Sequence, residues 1–182
     1  MIYELKSLLK YWFGNFVLGD QWKNIWFNKD DIGKVDAVLK NFEPMLDIFS
    51  NYETDNISEL VALTILYDQI PRHLYRNTKK AYEYHDTSLI YAKKALQKNI
   101  EIDLYYIPLI ICLIHTENIV EQRLAVKTLE RVQISQEYII VLNKIINNHY
   151  ERVSLFGRIP ERNRILSRKN TDAESAYLNS LY

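Results

Sequence analysis

Residues 135–157 read SQEYIIVLNKIINNHYERVSLFG, and this stretch decides the fold class. Its apolar residues Ile139, Leu142, Ile146 and Val153 recur at the three-and-four spacing of a helix with one buried face. Ser135 stands before the run as a cap, and Gly157 follows it, ready to close the helix in a left-handed conformation. The same pattern extends outward in both directions. Val35, Val38, Leu39, Phe42, Leu46 and Phe49 predict a helix, with Asp30 and Asp31 placed to cap it. Ser58 and Glu59 open another through Leu60, Leu63 and Leu66. It is expected to end near Gln69, because Pro71 pushes Ile70 out of helical geometry. Asp86 is placed to cap a helix through Leu89, Ala92, Ala95 and Leu96. Pro108 suits the first turn of the next, whose residues 109–114 are apolar on every side and therefore expected to be central. A further helix is expected over about residues 117–132, and Thr171 with Glu174 spells a capping box for a short last one. Alternating strand patterns are absent. The expectation is an all-α fold, a single domain over residues 1–182 of antiparallel helical hairpins.

Composition narrows the function classes. The 182 residues are 48% hydrophobic and 25% charged, which fits one soluble domain. Lysine plus arginine and aspartate plus glutamate both number 23, so the chain lacks the cationic surplus of a nucleic-acid coat or a polybasic membrane binder. A single cysteine, Cys112, excludes an intrachain disulfide and a multi-cysteine zinc site, and its apolar surroundings predict a buried, inert thiol. The first residues lack a basic region followed by an apolar run, and the apolar stretch 105–114 is about half the roughly 20 residues a bilayer crossing needs. A cytoplasmic location and no membrane partner are expected. The aromatic cluster Tyr11, Trp12 and Phe13, followed by Trp22, Trp26 and Phe27, is read as core packing. Only Lys10, Lys23 and Lys29 stand near it, too little charge for a base-stacking platform.

Two segments break the amphipathic routine. The first is YDQIPRHLYR at residues 67–76, where Asp68 is expected in the last turn of its helix. A carboxylate there faces the negative helix end and needs compensation, for which Arg72 or Arg76 is nearest. The second is FGRIPERNR at 156–164, followed by Leu166, Ser167, Arg168 and Lys169. Residues 152–169 hold six basic side chains against one acid, Glu161. Arginine's planar fork suits a two-point grip on phosphate or carboxylate.

Two readings of these segments stay open. In one, the arginines form structural ion pairs with Asp68, Glu117 and their neighbours. In the other, the two segments converge on a pocket for an anionic small molecule. Asp68, Gln69, Arg72, Arg76, Arg158, Arg162, Asn163 and Arg168 would then contact the ligand, while His115, Glu117 and His149 serve as proton donors or acceptors. No spacing matches a metal-ligand pair, and no Gly-rich phosphate loop or nucleophile elbow is present, so neither metal nor cofactor is expected. The alternative function is a helical interaction module that binds a protein or peptide without catalysis. Nucleic-acid binding through residues 152–169 ranks last, because Phe156 is the only aromatic in that basic segment.

Taken in order, these blocks resemble a family of bacterial proteins known as domain of unknown function 924. The blocks are Trp12-Phe13-Gly14 and Trp26-Phe27, then Asp68-Gln69-x-Pro71-Arg72 with Arg76. After them come His115-Thr116-Glu117-Asn118 with Gln122, then His149. Phe156-Gly157-Arg158-x-Pro160-x-Arg162-Asn163 follows, with Leu166-x-Arg168 and Thr171 last. The resemblance implies a tetratricopeptide-like helical fold and brings no established activity. It also marks departures: Cys112 stands where the family usually has proline, Glu161 where it has histidine, and Ser167 where it has glycine.

Overall fold

The computed structural model describes residues 1–14 and 32–181. Among them there is no strand, and the all-α expectation holds. Contacts gather the chain into two compact units, Met1–Arg76 with Lys80–Asn99, and Asn77–Lys79 with Ile100–Tyr182. The residues Asp30, Asp31, Trp22, Trp26 and Phe27, named above as caps or core, lie outside the described residues.

The first unit contains α1 (Tyr3–Phe13), α2 (Ile32–Leu39), α3 (Met45–Ile48), α4 (Ile57–Leu74) and α5 (His85–Leu96). α4 is its axis: every residue from Glu59 to Pro71 is buried, and α1, α2 and α5 pack against it. Trp12 and Phe13 are core residues, as expected, alongside Leu5 and Leu8. Four details differ from the expectation. α4 opens at Ile57, because the Asn56 carbonyl oxygen of the side chain accepts the Glu59 N–H at 3.1 Å and thereby caps the helix. It also does not stop at Gln69 but runs through Pro71 to Leu74, with the Tyr75 N–H donating to the Pro71 carbonyl at 2.9 Å. An interior proline costs about 3 kcal/mol, and here the continuous burial of α4 outweighs it. Asp68 consequently sits well inside the helix rather than in its last turn.

The apolar run from Val35 to Phe49 is interrupted as well. α2 ends at Leu39, a single 3-10 turn covers Lys40–Phe42, and Pro44 takes the N-cap position of α3. Pro44 has no N–H to continue the ladder, so the chain restarts there. At α5, Tyr84 rather than Asp86 occupies the N-cap position, and Asp86 lies in the first turn.

The second unit contains α6 (Tyr106–Ile114), α7 (Ile119–Leu129), α8 (Gln136–Phe156) and α9 (Asp172–Ser180). Every residue of α6 from Ile107 to Ile114 is buried, Cys112 included, which matches its uniform apolarity. α7 packs on both α6 and α8, so consecutive helices form hairpins. It is shorter than expected: Asn118 caps it through the Val120 N–H at 2.8 Å, and it ends at Leu129. α8 spans the stretch quoted first, ending at Gly157 with φ +70°. The capping box of α9 is complete, with Thr171 Oγ1 accepting the Glu174 N–H and Glu174 accepting the Thr171 N–H. Among the described residues no helix is long and apolar enough to cross a membrane.

Candidate functional site

In the first unit the polar chemistry centres on Asp68, whose side chain is fully buried. One turn later on α4, Arg72 donates its Nε–H to Asp68 Oδ1 at 3.1 Å. The i, i+4 spacing with the acid first is the favourable order for such a pair. The Gln69 side-chain amide donates to Asp68 Oδ2, and His85 Nδ1 stands 3.4 Å from Oδ1. Sequence reasoning offered Arg72 or Arg76 as the partner, of which Arg72 fills the role, and it missed His85. Its signal was weak, a histidine beside a helix start with no local partner.

Arg76 does not serve Asp68. Both of its terminal nitrogens grip Asp36 of α2, which also faces His73 Nδ1 at 3.2 Å. Burial holds the His73 imidazole below its ordinary range, with Arg76 adding to the effect against the pull of Asp36. Asp36 and His73 were not singled out, because a lone acid on an amphipathic helix gives no sign of a partner some forty residues away.

In the second unit the arginine-rich segment is tied to carboxylates of the protein. Arg158 donates to the buried Glu174 twice, at 2.5 and 2.7 Å, and to the Lys169 carbonyl at 2.7 Å. The Arg158 bonds hold the Glu174 carboxyl down at about 2, despite its burial. Arg168 grips both oxygens of Glu117, and Arg162 stands 3.5 Å from the same carboxylate while donating to the His115 carbonyl at 2.8 Å. The Ile159 N–H adds a further bond to Glu117 at 3.2 Å. Burial alone would raise the Glu117 carboxyl, but Arg168, Arg162 and the Ile159 amide bring it below its usual range. Arg152 pairs with Glu161 at 2.5 Å and with the Tyr177 hydroxyl at 2.7 Å, so the acid inside the basic segment has a cation of its own. Asn163 is buried and donates to Asn170 Oδ1 at 2.9 Å, bracing the loop.

The expected proton-transfer residues fall in this unit. The rings of His115 and His149, both half-buried, lie 5.9 Å apart. His149 Nδ1 is 3.0 Å from the Ile145 carbonyl, which can only accept, so that nitrogen carries the hydrogen. Glu117 is engaged as an ion-pair acceptor.

The arginines differ in one respect. Arg76, Arg158, Arg162 and Arg168 each place at least one terminal nitrogen on a protein oxygen. Arg72 uses only its Nε, and its terminal nitrogens meet no acceptor among the described residues. Its guanidinium lies over the Tyr82 ring, 5.1 Å from the centroid, and its side chain is 17% exposed.

Fold and site together define an all-helical protein whose arginines are held mainly by its own carboxylates. The chain belongs to the family of bacterial proteins of unknown function DUF924, which it matches over residues 8–181. It is also similar in fold to a solved protein of unknown function from Agrobacterium tumefaciens. The two share 22% identity with a TM-score of 0.65, and the match covers 97% of each chain. No curated protein matches the chain.

Proposed function

We propose that this protein binds a small anionic molecule, phosphorylated or carboxylated, through the Arg72 guanidinium of the first unit. The observation that supports this reading is the uncommitted end of that side chain. Nε is held by Asp68, which fixes the plane of the group, and Tyr82 lies against its face. The remaining edge presents two parallel N–H groups at the spacing that matches two oxygens of a phosphate or carboxylate. The side chain as a whole keeps 17% of its surface exposed to solvent. Asp68 does not repel the incoming anion at full strength, because Arg72, Gln69 and His85 already surround its carboxylate. In this reading Arg152, Arg158, Arg162 and Arg168 are structural, because they are paired with Glu161, Glu174 and Glu117.

A thermal-shift panel of small phosphates and carboxylates tests this function. A ligand present at a hundredfold excess over its dissociation constant stabilises by about 2.7 kcal/mol, which at this chain length is a rise of several degrees. The expected result is a hit with the native chain that disappears in Arg72→Gln. A panel with no hit, or a hit unchanged by that substitution, would shift the weight to a helical interaction module.

A further inference from the structure

His85 opens α5, and its ring is mostly buried, with 16% of the side chain exposed. Its two nitrogens have different surroundings. Nδ1 stands 3.4 Å from Asp68 Oδ1, and a carboxylate can only accept, so Nδ1 carries the hydrogen. In the neutral ring Nε2 is then the acceptor. That atom is buried and has no hydrogen-bond partner among the described residues. Buried polar atoms are nearly always satisfied, so an open one calls for a partner.

We infer that His85 Nε2 accepts a hydrogen bond from a hydroxyl of the bound molecule, so that the ligand is a small anion carrying a hydroxyl close to its charged group. This inference rests on the anion reading of Arg72. Both side chains hold the same oxygen, Asp68 Oδ1, through Arg72 Nε and His85 Nδ1, which puts the guanidinium and the imidazole side by side. Asp68 is the positioning residue for both: it turns the arginine edge outward and fixes the tautomer of the histidine. A hydroxycarboxylate or the phosphate ester of a polyol supplies both groups. A simple alkyl phosphate or an unsubstituted carboxylate supplies only the charge.

Calorimetric titration of the full chain with two matched pairs tests the inference: glycerol phosphate against methyl phosphate, and lactate against propionate. One net hydrogen bond corresponds to about tenfold in affinity, so in at least one pair the hydroxylated member is expected to bind about tenfold more tightly. His85→Phe keeps a ring in place but removes the acceptor. It is expected to abolish the difference within the pair, with any loss of its contact to Asp68 weakening both members alike. Equal affinities within both pairs in the native chain, or a difference that persists in His85→Phe, would overturn the role of His85 and leave the Arg72 site standing. If none of the four anions binds the native chain, the Arg72 reading fails, and the hydroxyl inference with it. Should His85→Phe not fold, nitrogen NMR of the native chain decides. The Nε2 resonance is expected to move from its lone-pair position on adding the hydroxylated anion and to stay in place with its partner compound. No movement with either would overturn the inference.

Discussion

At Ser167 the backbone sits at φ +57°, in the left-handed region that glycine enters without strain and that costs an L-residue roughly 1–2 kcal/mol. The family resemblance implies glycine at this position, and the left-handed backbone there is one that glycine suits. Ser167→Gly is expected to raise stability by about 0.5–1 kcal/mol, read as an increase of a few degrees in the unfolding midpoint. A neutral or lowered midpoint would mean that the serine side chain contributes something the backbone strain does not reveal. The same scale shows what single residues disclose in advance. Asp68 was legible as a carboxylate needing a cation, with Arg72 or Arg76 as its candidate partner, and the structure assigns Arg72. His85 was not, because its link to Asp68 depends on how two helices pack rather than on spacing within one. Asp36 eluded the reading of Arg76 for the same reason.

At the scale of the element, periodicity located the helices and local chemistry decided their ends. α8 follows its pattern from Gln136 to Phe156, and Gly157 closes it as expected. The errors cluster at prolines and caps. Pro71 was read as a stop, yet the buried length of α4 carries the helix past it, while Pro44 does break the run that begins at α2. The difference lies in surroundings: the residues up to Pro71 are enclosed without interruption, whereas none of the residues between Lys40 and Phe42 is buried. Caps follow the same logic: Asn56 bonds a free amide ahead of the expected opening at Ser58 and Glu59, and Asn118 caps a helix for which no cap was named.

α9 provides a pH test at this scale. Glu174 joins its capping box to the Arg158 bridge, and that bridge holds the carboxyl at about 2, against an ordinary 4.5. Because the folded value lies below the unfolded one, the stabilisation is fully present above about pH 4.5 and is lost as pH falls through 2. Chemical denaturation of the native chain is expected to show this loss over that interval. Glu174→Gln is expected to be less stable at neutral pH and to show a weaker dependence in the same interval. Parallel curves for the two proteins would contradict the assignment.

For the whole molecule, equal numbers of acids and bases proved more informative than the local arginine surplus. The six cations of residues 152–169 left structural ion pairs and an anion pocket both open, and Glu117, Glu161 and Glu174 draw most of them into ion pairs. Such pairing is invisible to a local count, because two of the three acids lie outside the basic segment. Membership of the DUF924 family and the shared fold establish the helical framework without supplying a reaction. The proposed function therefore rests on the guanidinium edge that the protein leaves uncommitted at Arg72. The most direct measurement is a crystal structure of the chain soaked with glycerol phosphate. The account predicts phosphate oxygens on the two terminal nitrogens of Arg72, with a glycerol hydroxyl at His85 Nε2. Phosphate bound instead at Arg158, Arg162 or Arg168, with Arg72 bare, would contradict it.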